Sequence, residues 1–165
     1  MRLRPPADRD AHRIAQICAD PEIARWTNVP SPYTLEDARG WIALASIERE
    51  RGTALHLVAV RAADERVVGA AALRLHDDPE PFGDAGYWVA AEARRSGVAG
   101  RSVELITAHA LGALSLRRVE IVISPENEAS LAVARRCGYA EDRRELREFK
   151  GALMEFAVFQ RAPAG

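Results

Sequence analysis

Apolar residues recur at helical spacing in four parts of the chain, and other parts show the extended runs typical of strands. The helical segments lie around residues 11–18, 34–51, 97–114 and 127–137. Asp8 is the expected N-cap of the first helix, and the run from Thr34 to Asp37 has the pattern of a capping box. Around residues 21–33 the periodicity breaks, so no regular element is predicted there.

Seven segments of the chain, most of them apolar, are predicted to be the strands of a sheet. They lie at residues 2–4, 55–60, 67–75, 85–90, 119–123, 142–149 and 152–160. The second and third runs, joined by a polar turn from Ala63 to Arg66, predict an antiparallel hairpin. Antiparallel strands followed by alternating strands and helices imply an α/β fold, a mixed sheet with helices on both faces. The length of 165 residues, without a visible linker, predicts one domain over residues 1–165.

Composition narrows the classes of function. A formal net charge of −1 gives no electrostatic reason to expect nucleic acid as a partner. No apolar run approaches the ~20 residues of a membrane span, and the first residues lack the apolar core of a signal peptide, so we expect a cytoplasmic protein without a membrane partner. The two cysteines and four histidines show no metal-ligand spacing. Whether the protein is a monomer or a homodimer stays open.

The turn after the fourth predicted strand is the most informative segment. Residues Arg94 to Gly100 lead from an apolar strand straight into a helix and include Gly97. Glycine lets backbone approach a ligand, and the unpaired N–H groups of a helix start attract a polyanion. The spacing is neither that of a P-loop nor that of the dinucleotide fingerprint. The segment therefore predicts a pyrophosphate site for another ligand, with a plain connection as the alternative.

Two motifs in this order resemble the GNAT superfamily of N-acetyltransferases. The order Arg94-x-x-Gly97-x-Ala99 after a strand is similar to the acyl-CoA motif of that family. Downstream, a strand, a turn and a helix that begins near Asn127 and ends at a glycine–aromatic pair match the second half of its cofactor site. The resemblance covers nearly the whole chain. It implies acetyl-CoA as cofactor and a largely antiparallel central sheet that is splayed at the cofactor site.

The resemblance also implies which residues bind the cofactor. The pyrophosphate would lie against the backbone of the glycine-containing turn, and the pantetheine arm would lie between two splayed strands, pairing with backbone near Val89. The cofactor-binding residues implied in this way are Val89, Arg94, Arg95, Ser96, Gly97, Val98, Ala99, Gly100 and Asn127.

Acyl transfer from a thioester to an amine needs a proton or hydrogen bond for the departing thiolate. In the usual family motif a tyrosine seven residues after the asparagine supplies it, but this chain has Ala134 there. Ser130 lies about one helical turn after Asn127, and we therefore assign Ser130 and Asn127 as the catalytic residues. Helix packing for Ser130 and N-capping for Asn127 are the alternatives. The Asn-x-x-Ser pattern resembles the RimJ/RimL branch of ribosomal-protein alanine acetyltransferases.

The acceptor is defined less sharply. Trp26 and Tyr33 fall where the family builds its acceptor pocket, and they are predicted together with Tyr87 as substrate-binding residues. No general base stands out: the candidates are Asp84, Tyr87, Glu155 and His56, and water is the alternative. We expect an acetyl-CoA-dependent N-acetyltransferase acting on a protein N-terminus or a small amine. The alternatives are an aminoglycoside or metabolite N-acetyltransferase, and a non-catalytic acyl-CoA-binding regulatory module.

Overall fold

The computed structural model describes residues 1–77 and 80–163, so residues 78, 79, 164 and 165 of the predicted domain lie outside the described part. The strands are β1 (Arg2–Arg4), β2 (Ala54–Val60), β3 (Val67–His76), β4 (Phe82–Val89), β5 (Arg118–Ile123), β6 (Ala140–Phe149) and β7 (Ala152–Arg161). Among the described residues they form one sheet of seven strands in the order β1-β2-β3-β4-β5-β7-β6. Only the β4 and β5 pair is parallel there, so the predicted mixed, largely antiparallel sheet is confirmed.

The helices begin and end at recognisable signals. They are α1 (Ala11–Cys18), α2 (Pro21–Trp26), α3 (Leu35–Arg51), α4 (Val98–Leu111) and α5 (Glu128–Arg136). The predicted capping box opens α3, because Asp37 N–H donates to Thr34 Oγ1 at 3.1 Å and Thr34 N–H donates to Asp37 Oδ2 at 2.7 Å. No helix among the described residues is long and apolar enough to cross a membrane.

The prediction that Asp8 caps the first helix is wrong. Residues Asp8–Asp10 form a 3₁₀ turn ahead of α1, and the Asp10 carboxylate accepts the Ala7 N–H at 2.8 Å. Arg4 also donates to both Asp10 oxygens, at 2.7 and 2.8 Å. Burial favours the protonated carboxyl, but these hydrogen bonds hold the pKa of Asp10 below its usual value. Asp10 is thus the residue that ties the helix start to β1.

The short helix α2 was not predicted from the broken periodicity around residues 21–33. Its signal is local: Asp20 is the N-cap and accepts the Glu22 N–H at 2.9 Å, and Pro21 stands in the first turn, where its fixed φ suits a helix. Two other boundaries also differ from prediction. β4 begins at Phe82 because that residue pairs with both neighbouring strands, and α4 ends at Leu111 before the turn at Gly112.

Helices cover both faces of the sheet, as predicted. The α4/α5 face is the side on which α4 and α5 pack, and its buried core includes Leu73, Val103, Ile106, Ala134 and Phe159. The α1–α3 face is the opposite side, and its buried core includes Ile14, Ile17, Ile23, Ile42 and Val58. Side chains alternate along each strand, so every strand contributes to both sides.

β4 and β5 separate after a short parallel contact. They pair only through Phe82 with Arg118, Gly83 with Val119, and Asp84 with Glu120. Beyond this point β4 continues to pair with β3, and β5 continues to pair with β7. The predicted splay is therefore present, and it leaves an opening between residues 85–89 of β4 and residues 121–123 of β5.

Candidate active site

The turn that enters α4 presents backbone N–H groups to solvent. Gly97 is the N-cap of α4 with a φ of 83°, in the left-handed region that favours glycine. Arg101 N–H makes a hydrogen bond of 3.0 Å to Gly97 O, so the N–H groups of Val98 to Gly100 precede the helical ladder. A Cβ on Gly97 would meet no heavy atom within 4 Å, which leaves space for a ligand against this backbone. The predicted turn thus fits a pyrophosphate.

The arginines of this turn do not all face the same way. Arg94 Nη2 lies 2.5 Å from Asp20 Oδ2, so this side chain reaches the N-cap of α2. Arg95 is exposed and has no ion-pair partner among the described residues. Arg101 pairs with Glu104 at 3.5 Å in the exposed first turns of α4. Arg95 is therefore the residue with a side chain left for a phosphate, whereas Arg94 connects the turn to α2.

Asn127 and Ser130 lie together at the start of α5. Asn127 Oδ1 accepts the Ser130 N–H at 3.1 Å, so the N-cap interpretation of Asn127 holds. Its Nδ2 has no hydrogen-bond partner among the described residues and is left to bind a ligand. Ala134, one turn further on, is buried in the core of the α4/α5 face and offers no proton donor. Ser130 is thus the hydroxyl that α5 presents near the opening.

Tyr87 meets Ser130 from the other side of the opening. Tyr87 O–H donates to Ser130 Oγ at 3.0 Å, which joins β4 to α5. Tyr87 packs against the core of the α4/α5 face, whereas its neighbour Trp88 packs against the core of the α1–α3 face. Burial raises the pKa of Tyr87, and the hydrogen bond to Ser130 opposes this. The phenol therefore stays protonated at neutral pH.

The predicted substrate-binding residues are not brought to one place. Trp26 ends α2, where its Nε1 donates to Glu22 Oε2 at 3.3 Å and the Arg25 guanidinium lies 4.4 Å from its ring centre. Tyr33 packs on the core of the α1–α3 face, and burial raises the pKa of its phenol. Tyr87 points to the opposite face because side chains alternate along β4. Tyr33 and Tyr87 therefore lie on opposite faces of the sheet, and Trp26 lies apart from both at the end of α2.

The structure separates the four candidates for a general base. His56 Nε2 lies 2.5 Å from Glu48 Oε2, with its ring 5.7 Å from that of Trp41. Glu155 pairs with Arg144 at 3.0 Å in an exposed position. Tyr87 is held by Ser130. Each of these three groups therefore already has a partner in the fold.

Asp84 differs from the other three because it lies where β4 separates from β5. It alternates with Ala85 and Tyr87, so its side chain is on the α1–α3 face, with Trp88. Burial raises the pKa of this carboxyl, while nearby cations, Arg147 first among them, oppose the rise. No hydrogen bond joins its carboxylate to another described side chain. Asp84 is thus the candidate that faces the acceptor side without a fixed partner.

Sequence reasoning missed a buried carboxylate beside Asp84. Glu120 is 1% exposed, and it accepts hydrogen bonds from Arg118 at 2.7 Å and Arg143 at 3.0 Å. Burial favours protonation, but the two guanidinium groups hold the pKa of Glu120 below its usual value. The signal was a single glutamate inside the apolar strand from Val119 to Ile123. Glu120 therefore adds a fixed charge cluster to the acceptor side.

Two contacts join α2 to other segments on the acceptor side. Lys150, in the turn between β6 and β7, donates from Nζ to the Ala24 carbonyl. Arg25 lies 3.9 Å from Glu126, just before α5. Both contacts join segments that are far apart in sequence, so the strand and helix patterns carried no signal for them. They place α2 beside the opening, on the side opposite to α4.

Comparison with known proteins identifies the class of this site. The model of the Acetyltransferase (GNAT) domain matches residues 1–140, and the chain belongs to this family. The chain is 24% identical over 169 residues to the uncharacterized N-acetyltransferase p20 of Bacillus licheniformis, which covers 99% of this chain and 94% of that protein. The predicted family and an N-acetyltransferase activity are thereby confirmed.

Solved structures share the fold. RimJ from Mycobacterium smegmatis, in complex with CoA-disulfide, has a TM-score of 0.87 at 23% identity, over 97% of this chain and 80% of that chain. The ribosomal-protein-S5-alanine acetyltransferase from Vibrio fischeri has a TM-score of 0.85 at 20% identity, over 97% of this chain and 91% of that chain. The predicted cofactor, acetyl-CoA, is confirmed by the family and by neighbours such as this RimJ that were solved in complex with CoA.

Proposed function

We propose that this protein transfers the acetyl group of acetyl-CoA to a primary amine, on a peptide N-terminus or a small molecule. The observation that carries the proposal is the meeting of Ser130 with Tyr87 across the opening between β4 and β5. It puts two hydroxyl groups beside the opening, and β4 leads from there to the proposed anion site at the start of α4. Family membership supports the reaction, and the geometry supports the assignment of residues.

Three groups of residues would hold acetyl-CoA. The N–H groups of Val98 to Gly100 face the position for a pyrophosphate, the free edge of β4 around Val89 faces the position for the arm, and Asn127 Nδ2 is open to it. When bound, acetyl-CoA supplies an acetyl group activated as a thioester. Ser130 would then donate a hydrogen bond or proton to the departing sulfur, the task that Ala134 cannot perform.

We assign Asp84 as the residue that takes a proton from the acceptor amine. It faces the acceptor side at the closed end of the opening, and its raised pKa brings the carboxyl closer to the pH range in which a base is effective. A protein N-terminus, with a pKa near ~8, needs less help than a lysine near ~10.4. The assignment therefore favours an amine of low basicity as the acceptor.

The acceptor would enter on the α1–α3 face, beside α2 and the turn that carries Lys150. Trp26 lies in α2 and Tyr33 packs on the same face as Asp84, and each would offer aromatic surface to a peptide-like or amine-bearing group. One structural neighbour is named as a ribosomal-protein-S5-alanine acetyltransferase, which makes a protein N-terminus the first acceptor to test.

We further propose that residues 1–165 form a single domain and that the protein is a monomer or a homodimer. We also propose that it lies in the cytoplasm, where the buried free cysteines Cys18 and Cys137 would stay reduced.

A screen of thiol release tests the function and the acceptor together. The full chain is mixed with acetyl-CoA and, in separate reactions, a peptide with a free N-terminus, an aminoglycoside and a polyamine. We expect release of CoA above the acceptor-free rate with at least one class, the peptide first. Tight binding of CoA without release in any reaction would favour the alternative, a non-catalytic acyl-CoA-binding module.

A further inference from the structure

The hydrogen bond between Tyr87 and Ser130 leaves one hydroxyl free to act. Tyr87 O–H donates to Ser130 Oγ at 3.0 Å, and among the described residues Ser130 Oγ takes part in no other hydrogen bond. A hydroxyl has one hydrogen to donate and two lone pairs to accept with. The Ser130 hydrogen is therefore available to a ligand in the opening while Tyr87 occupies one of the lone pairs.

Tyr87 can donate a hydrogen bond to Ser130 without losing its proton. Its ring packs against the core of the α4/α5 face, and burial raises the pKa of the phenol. A protonated phenol that donates to Ser130 Oγ polarises the Ser130 O–H bond and makes it a better donor in turn, as in any chain of hydrogen bonds. Because α5 carries Ala134 and no tyrosine, the phenol of this site comes from β4 instead.

We propose that Tyr87 is a positioning residue that acts through Ser130 on the departing CoA thiolate. The proposal rests on the acetyl transfer proposed above. As the carbon–nitrogen bond forms and the carbon–sulfur bond breaks, the electron pair of the broken bond passes to sulfur and the surplus proton of the amine passes to Asp84. Ser130 O–H donates to that sulfur, and Tyr87 holds Ser130 in the orientation that allows it.

The pKa of the CoA thiol bound to the enzyme tests this role without turnover. Ultraviolet titration of the thiolate is carried out with CoA bound to the wild type, Tyr87→Phe, Ser130→Ala and the double variant. A hydrogen bond to sulfur favours the thiolate, so each single variant should raise the thiol pKa, by roughly half a unit or more for Ser130→Ala and by less for Tyr87→Phe. The double variant should match Ser130→Ala, because Tyr87 acts only through that hydroxyl.

Turnover gives the second reading. Tyr87→Phe should lower kcat roughly two- to fivefold with little change in KM for acetyl-CoA, and it should add nothing to the loss in Ser130→Ala. Thr107→Val is the matched control, since Thr107 Oγ1 bonds Tyr139 at 2.5 Å in the core of the α4/α5 face. That variant should lose thermal stability and leave both the pKa of the bound thiol and kcat unchanged.

Two results would overturn the role of Tyr87. One is a folded Tyr87→Phe enzyme with the thiol pKa and kcat of the wild type, and the other is a double variant whose losses multiply in full. If Tyr87→Phe does not fold, fluorotyrosine at position 87 makes the phenol a stronger donor, and it should lower the bound thiol pKa. If the wild type binds CoA but transfers no acetyl group, the proposed function is wrong. The thiol titration would still show whether Tyr87 acts on the bound sulfur through Ser130.

Discussion

The two faces of the sheet are built in different ways. On the α4/α5 face the functional groups come from two continuous strand–turn–helix segments, whose helices begin after Gly97 and after Asn127. On the α1–α3 face they come from segments far apart in sequence, such as Asp84, Glu120 and Lys150. The first face carries open N–H groups and hydroxyls that suit an anionic cofactor. The second carries partly neutralised charge and aromatic rings that suit an amine.

This difference explains why cofactor sites are easier to recognise than acceptor sites. A helix start that binds a polyanion needs a particular local backbone, and the local sequence records it. An acceptor site depends on which strands and turns the fold brings together, and this arrangement cannot be predicted from any one short segment. Variants that change one face and leave the other intact therefore test whether the two faces have these separate roles.

Gly97→Val should give the largest effect, and it should be confined to the cofactor. A β-branched residue at a φ of 83° is strained, and its side chain would fill the space that faces the open N–H groups. We expect CoA affinity, measured by calorimetry, to fall on the order of a hundredfold, because charge-assisted hydrogen bonds are lost. Gly52→Val carries the same strain at the end of α3 and is the control. Equal CoA affinity in folded Gly97→Val and wild type would remove the phosphate site from this turn.

Asp84→Asn tests the other face. With a good acceptor, kcat/KM at neutral pH should fall about a hundredfold, the lower range for a lost general base, while CoA affinity stays. Because burial raises the pKa of Asp84, the wild-type kcat/KM should rise with pH above the usual aspartate range, and this rise should vanish in the variant. Glu155→Gln, exposed on another strand, is the matched control. A variant that keeps the wild-type pH profile would remove Asp84 from catalysis.

Asp84→Asn should also change stability, and here we expect a gain where the activity is expected to fall. A carboxyl whose pKa is raised in the folded state stabilises the fold below its unfolded pKa, and this contribution is lost as pH rises through the folded value. Asp84→Asn should therefore have a higher Tm than the wild type at neutral pH. The difference should shrink towards acid pH, and a Tm difference independent of pH would contradict the burial of this charge.

Ser130→Ala should affect turnover more than binding. We expect kcat to fall about tenfold, below the usual range for a general acid, since a thiolate leaves readily near neutral pH. Ser102→Ala, in α4, removes a buried hydroxyl without a hydrogen-bond partner among the described residues and should leave kcat unchanged. If Ser130→Ala keeps full kcat with chemistry rate-limiting, Ser130 is a packing residue.

Asn127→Ala should give the smallest effect. Loss of the cap on α5 should cost about 1 kcal/mol of unfolding free energy, and the lost Nδ2 contact should weaken CoA binding a few-fold. Thr34→Ala removes the cap of α3 and should cost a similar stability without a change in CoA affinity. Should both variants lower Tm and neither change CoA affinity, Asn127 is a cap and nothing more.

Local patterns predicted most of the fold. The capping box at Thr34, the hairpin of β2 and β3, and the two motifs around Gly97 and Asn127 depend on neighbours in sequence, and each was found where expected. The helix at Pro21 was missed because six residues show too little periodicity, although Asp20 before proline was a usable signal.

The side on which Tyr87 lies could not be read from its own segment. A shift of one residue along a strand moves a side chain to the other face, and only the register between β3 and β4, in which Tyr87 pairs with Ala71, fixes it. The same reason hid Glu120, which looks like an interruption in an apolar strand until Arg118 and Arg143 are seen around it. Register between distant strands is a property of the assembled sheet.

The most direct test of acetyl transfer is mass spectrometry of a matched pair of acceptors. Two peptides of one sequence without lysine, one with a free N-terminus and one with a dimethylated N-terminus, are incubated with the full chain and acetyl-CoA, beside an aminoglycoside and a polyamine. The account predicts that a free primary amine gains one acetyl group and that the dimethylated peptide gains none. CoA binding without an acetylated product from any of these acceptors would contradict it, and would make this protein a sensor of the cofactor.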